Sequence, residues 1–386
     1  MLTSLLDGLF DGISIGSVLL LAALGLAIVF GLMGVINMAH GELMMIGAYT
    51  TFVVQNAFKS FGQPWFGAYI FVALICAFFV TALLGLILEK GVIRHLYGRP
   101  LETLLATWGV SLILRQFVRS VSWVMVLGLG VFCVLYFGAM AILSRRPNVE
   151  KIRGWARTVL IPLSAGIAWT AGNMLGQTYQ LAATKPWFGA QNVDVTAPGW
   201  LRKGIKLGTY QLPYVRLFIL VLTIVCILGM YLFLQRSAWG LRIRAVTQNR
   251  SMSACLGIPT ERVDALTFAL GSGLAGVAGC AVSLLGSVGP NTGQNYIVDT
   301  FMVVVVGGVG KLVGSIVAAM AIGIANYMIG ADALSPLVSW FPQLAAVLQF
   351  FANASMAKVL VFALIVTFLQ FRPAGIFPQK GRMVDA

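Results

Sequence analysis

The sequence predicts an all-α fold, a polytopic helical bundle in a membrane, and three observations carry this. The 386 residues are 59% hydrophobic and only 10% charged, with a mean hydropathy of +0.91, well above a soluble globular domain. Apolar runs of about 20 residues recur from end to end, each long enough to cross a bilayer core. Basic residues cluster in the short loops between those runs, as membrane topology requires. No long polar block interrupts the pattern, so residues 1–386 read as a single transmembrane domain.

Taken in order, the spans fall at about 9–31, 41–58, 66–88, 101–120, 123–143, 158–176, 213–235, 263–286, 297–311, 313–330 and 356–371. The opening "MLTSLLDGLFDG" has two aspartates and no basic residue, so it reads as an uncleaved first helix and not a signal peptide. Several spans are short or glycine-interrupted, which makes them candidates for re-entrant segments. With the N-terminus outside, the inside loops hold sixteen Lys and Arg, among them Lys90, Arg94, Arg145, Arg236, Arg250 and Arg372. The outside loops hold six, Lys59, Lys185, Arg202, Lys203, Lys206 and Arg216. That bias predicts an external N-terminus and a cytoplasmic C-terminus. Outside, residues 177–212 are polar with aromatics suited to an interface, and residues 331–355 read as a short surface helix.

Two features raise functional questions. Asn37, His40 and Glu42 sit within "GLMGVINMAHGELMMIGAY", among glycines 31, 34, 41 and 47, at the cytoplasmic end of the first two spans. A helix broken in lipid strands backbone amides and carbonyls at several kcal/mol each. The trio therefore reads first as satisfying a broken turn, and second as a gate or contact for a polar solute. Other pathway candidates are Thr107, Ser111, Asn291, Asp299 and Asn326, each also readable as a helix-packing or interface residue. The second feature is the inside loop 236–262. There Asn249 caps a short helix, Gly257 ends it and Pro259 forbids its continuation. Met252, Cys255 and Leu256 share a face, and Thr260 stands where it caps the next span. Such a helix is either a handle for a soluble partner or a plain connector.

Four long segments carry a family resemblance: "ALGLAIVFGLMGVINMAHGELMMIGAYTTF", "LATWGVSLILRQFVR", "RAVTQNRSMSACLGIPTERVDALTFALGSGLAGVAGC" and "VGPNTGQNYIVDTFMVVVVGGVGKLVGSIVAAMAIGIAN". They resemble permease subunits of ABC importers of the branched-chain amino-acid and urea type, with the pattern nearest to the first permease subunit of urea importers. The resemblance implies about nine family spans, alternating access with a homologous second permease, two cytoplasmic ATPase subunits and a periplasmic binding protein. It implies a bacterial inner-membrane location and urea as substrate, with branched-chain amino acids or short amides as the alternative. It favours the handle, with Ala245, Asn249, Met252, Cys255, Leu256 and Gly257 in the ATPase-coupling segment. Residues 122–180 depart from the family pattern and read as an insertion carrying two further apolar spans.

The chain carries no energy source of its own in this reading. "GGVGKLVG" fails as a phosphate loop, because Val305 stands where glycine is required and Leu312 where a hydroxyl would hold magnesium. Gly310 and Gly314 read instead as a small-xxx-small packing pair, as do Gly271, Ala275 and Gly279. ATP and magnesium are then expected on partner subunits, and no cofactor on this chain. Ion coupling has few candidates, Glu42 and Asp299 with Arg115 and Arg119. A passive urea channel is the rival of another class, and it leaves the cytoplasmic helix without a role. His40 and His95 are the only histidines, and the five cysteines lack metal spacing, so an enzyme or a metal site is not expected.

Overall fold

The computed structural model describes residues 2–60, 66–143, 191–207, 210–333 and 349–377, with isolated positions elsewhere. Contacts divide the chain into two compact units, residues 1–112 with 193–386, and residues 113–192. The chain order begins with α1 (Leu2–Ile28), a π-helical turn (Val29–Met33), α2 (His40–Ser60), α3 (Tyr69–Gly91), a 3-10 turn (Ile93–Leu96) and α4 (Pro100–Ser120). The second unit takes the end of α4 and α5 (Trp123–Leu143). After it come an antiparallel ribbon, β1 (Gly204–Leu207) with β2 (Tyr210–Pro213), then α6 (Tyr214–Arg236), α7 (Ala238–Gln248) and α8 (Arg250–Cys255). The chain continues with α9 (Thr260–Ser283), α10 (Thr292–Gly307), α11 (Leu312–Gly330) and α12 (Ala354–Phe371).

Every expected span except one coincides with a helix to within several residues. The exception, 158–176, lies outside the described residues apart from isolated positions, as does most of 331–355. Five of the described helical segments are long and apolar enough to cross a membrane: Gly8–Met33, Tyr69–Gly91, Tyr214–Arg236, Thr260–Ser283 and Leu312–Gly330. The helix α10 is shorter, at 16 residues, or about 24 Å at the α-helical rise.

The first unit is organised around α1 and α9. In their membrane-length stretches 83% of residues are buried, against 17% for α6, so the first two form the centre and α6 the flank. Glycines bring the central backbones together. A side chain at Gly279 would meet the Met44 carbonyl of α2, one at Gly271 would meet Gly25 of α1, and one at Gly276 would meet Ala77 and Thr81 of α3. The small-residue stripe on α9 is therefore a packing seam, as the spacing predicts. Arg216 of α6 pairs with buried Asp11 of α1, and Thr223 donates to the Ser17 carbonyl at 3.2 Å.

Three sequence expectations need correction here. Gly310 is not on a helix. Gly308 and Gly310 have φ of +97° and +80° and form the turn between α10 and α11, where Gly31 packs against Gly310. Gly314 instead packs against Gly307 across that hairpin. Thr260 does not cap α9: Pro259 occupies the cap position, without a side-chain hydrogen bond, and Thr260 opens the first turn. Finally, the polar stretch before α6 contains the β1–β2 ribbon, which a wholly helical reading omits. Around it Trp200 Nε1 donates to the Gly67 carbonyl at 2.9 Å, and Val193 and Val288 exchange backbone hydrogen bonds at 2.8 Å.

Loops read as sharing one side of the membrane do gather at one end of the first unit. Arg94 reaches Glu261 at 2.9 Å, Leu32 packs in the cluster of Ile243 and Val246, and Ile376 N donates to the Val306 carbonyl at 2.8 Å.

Candidate functional site

The candidate residues fall into three groups, with Asn291 outside all of them at the exposed N-terminus of α10. The first group is the break between α1 and α2. Gly34, at φ +69°, turns the chain out of the π-helical stretch and donates to the Phe30 carbonyl at 3.0 Å. Left-handed backbone of this kind is what glycine adopts without steric cost. Asn37 Oδ1 then accepts from Ala39 N at 3.1 Å, capping the entry to α2, and a His40 ring nitrogen lies 3.0 Å from the Ala22 carbonyl of α1.

Helix α4 answers the rest of the break. Met38 N donates to Thr107 Oγ1 at 3.1 Å, and Ser111 Oγ donates to Glu42 Oε1 at 3.0 Å. Asn37, His40, Glu42, Thr107 and Ser111 are all buried. The five candidates thus gather in one buried knot at the break, in which Ser111 and Glu42 bond each other and Asn37, His40 and Thr107 answer main-chain groups, while Asn37 Nδ2 and His40 Nδ1 have no partner among the described residues. The bonds that Asn37, His40 and Glu42 do make are those a structural role requires. Asn37→Ala should lower the folding stability of the purified protein by about 1 kcal/mol, as the loss of a cap does. Uptake per folded molecule should be unchanged in the same preparation.

The second group is the loop 236–262. Ser237 Oγ accepts from Gly240 N at 2.8 Å and caps α7, whose Ile243 and Val246 are buried with Val263 of α9. Ala245 therefore belongs to this anchoring helix, where it is half-buried, and not to the short helix after it. Asn249 Oδ1 accepts from Met252 N at 3.0 Å and caps α8, and Gly257 ends it at φ +80°. Met252 and Leu256 are 59% and 76% exposed, and Cys255 is exposed beside them. Among the described residues, the apolar face of α8 is thus largely uncovered.

An ionic network ties α8 to the spans. Arg250 pairs with Asp264 of α9 at 2.6 Å and lies 4.9 Å over the Tyr97 ring. Tyr97 donates to Glu89 Oε1 at 3.3 Å, and Arg94 bridges Glu89 at 3.4 Å and Glu261 at 2.9 Å. Burial beside Asp264 and Glu89 pushes the Tyr97 phenol up, which keeps its proton in the bond to Glu89. None of these partners was singled out from sequence, although Glu89 in an apolar run is a legible signal.

The third group lies in a cleft of about 630 Å³ lined by Asp299, Asn326 and Lys358, with neighbours from α1, α10 and α11. Asp299 is buried at the eighth position of α10, and Lys358 of α12 donates to its Oδ2 at 2.8 Å. In this cleft, Lys358 is the residue that sequence reasoning missed.

The comparisons with known proteins bear on the whole chain. It is 26% identical over 373 residues to the high-affinity branched-chain amino acid transport system permease protein BraD of Pseudomonas aeruginosa, covering 96% of this chain and 95% of that one. It is 25% identical over 378 residues to the corresponding permease LivH of Escherichia coli, covering 96% and 94%. A shorter match, 31% identical over 111 residues, covers 27% of this chain and 29% of the xylose transport system permease protein XylH of Haemophilus influenzae. No solved structure matches significantly. The family model described as "Branched-chain amino acid transport system / permease component" matches residues 8–369, and the polytopic helical chain described above belongs to that family.

Proposed function

We propose that this chain is the membrane subunit of an ATP-driven importer of branched-chain amino acids in the bacterial inner membrane, non-catalytic itself. The observation that carries the proposal is the short helix α8. Its Met252, Cys255 and Leu256 face is exposed, while α7 and the Arg250 network hold it to the ends of the spans. A capped, anchored helix with an uncovered apolar face fits a groove on a soluble partner, and family membership supplies the kind of partner. ATP binding and hydrolysis are assigned to two cytoplasmic ATPase subunits, delivery to a periplasmic binding protein, and the other half of the pathway to a homologous permease. Alternating access, an external N-terminus and a cytoplasmic C-terminus complete the reading. Residues 236–262 are the coupling segment, and residues 122–180 are an insertion in the single transmembrane domain.

Urea was the first substrate expectation. The relatives that this chain matches over nearly their whole length are named for branched-chain amino acids. That favours the alternative substrate, and urea gains no support from the comparisons.

Reconstitution tests the function. Labelled leucine should enter proteoliposomes holding the full importer only when ATP and binding protein are present. Uphill accumulation by this subunit alone would overturn the proposal. Orientation has its own test, since Cys255 is exposed. A membrane-impermeant maleimide should label it in inside-out vesicles and not in intact spheroplasts, and bound ATPases should protect it. Labelling from outside would place α8 on the wrong side.

A further inference from the structure

Buried carboxylates at membrane depth are costly, and each needs a stated partner. The Asp299 side chain is 4% exposed and that of Lys358 is 45% exposed, with 2.8 Å between Nζ and Oδ2. The pair borders a cleft whose volume, about 630 Å³, falls in the range of small-molecule sites. One part of the lining is apolar, with Ile15 and Leu19 of α1, and another is polar, with Asn295, Tyr296 and Asn326. Asn326 Oδ1 is buried without a hydrogen-bond partner among the described residues. An acceptor left so costs free energy until a donor reaches it.

We propose that this cleft binds the zwitterionic end of an aliphatic α-amino acid. The ammonium, with three donors, is held by Asp299 and Asn326 Oδ1. The carboxylate is held by Lys358, and the aliphatic side chain lies against Ile15 and Leu19. The ion pair is neutral in sum and so is the ligand, so binding interleaves four charges without adding a net one to the cleft. The half-exposed lysine has a long flexible stem and swings aside to admit the ligand, while the buried carboxylate stays in place. A neutral solute such as urea needs no such pair. The inference rests on the amino-acid reading above and adds the site to it.

The competing role is a structural strut between α10 and α12, and removing both charges separates the two. Asp299→Asn with Lys358→Met leaves no unpaired ion, which a strut tolerates. In the reconstituted importer, labelled-leucine uptake by this double variant should fall by about ten-fold or more. Lys358→Arg should retain most of it. Wild-type leucine uptake by the double variant, at equal recovery of the complex, overturns the site. Should the double variant not assemble, Asn326→Ala decides: it should raise the half-saturating leucine concentration about ten-fold, and no change sinks the proposal. Wild-type importer that carries labelled urea and not leucine refutes the functional reading itself, and that arm is read before any variant.

Discussion

If α8 docks on the ATPases as proposed, Leu256→Asp should abolish ATP-driven uptake while the spans stay folded. The residue is 76% exposed and follows the last turn of α8, so a carboxylate there remains in water and the chain loses no packing. In the assembled importer the same carboxylate would be buried in an apolar groove without a partner. Leaving one charge buried and unpaired costs about 3–5 kcal/mol, which weakens docking by roughly a hundred-fold or more. The measurement pairs co-purification of the ATPases with leucine uptake, and the thermal melt of the isolated subunit reports on the spans. Both docking and uptake should be lost and the melt unchanged. Intact docking by the variant would falsify the assignment of this face.

Gly279→Leu should prevent the first unit from folding. The site has no room for even one carbon, since a Cβ there would run into the Met44 carbonyl and the backbone at Ala48. Backbone cannot step aside as a side-chain tip can, so α2 and α9 would have to separate along their length. Overpacking of ordinary core sites costs about 1–3 kcal/mol, and a collision with main chain lies at or beyond the top of that range. Gly229→Leu on α6 is the matched control, because nothing lies within 4 Å of the carbon it adds. Yield of monodisperse protein in detergent should collapse for the first and hold for the second. Equal yields would mean that the glycine seam does not hold the bundle together.

The sequence made the bundle legible because length and hydropathy are enough to find a span. It made α8 legible because Asn249, Gly257 and Pro259 are local signals that act within a few residues. The helix before it escaped notice, since its cap, Ser237, directly follows the end of α6 and the two helices read as one polar loop. The knot at the first break was legible as a composition of residue types, but its partners were not. Thr107 and Ser111 stand 69 residues from Met38 and Glu42, and only the fold brings them together. Lys358 was within reach of the sequence, because a lysine inside the expected span 356–371 demands a counter-charge. Its pairing with Asp299 spans 59 residues and required the structure.

The glycine contacts of α9 bear on how the molecule can move. Where main chain rests on main chain, there are no rotamers to repack, and sliding by a fraction of a turn would drive a neighbouring residue's Cβ into the facing strand of peptide units. Such a joint is either whole or broken. On the proposed alternating access, the central helices would then serve as a stationary mast, and the play that transport requires would fall to less buried helices such as α6.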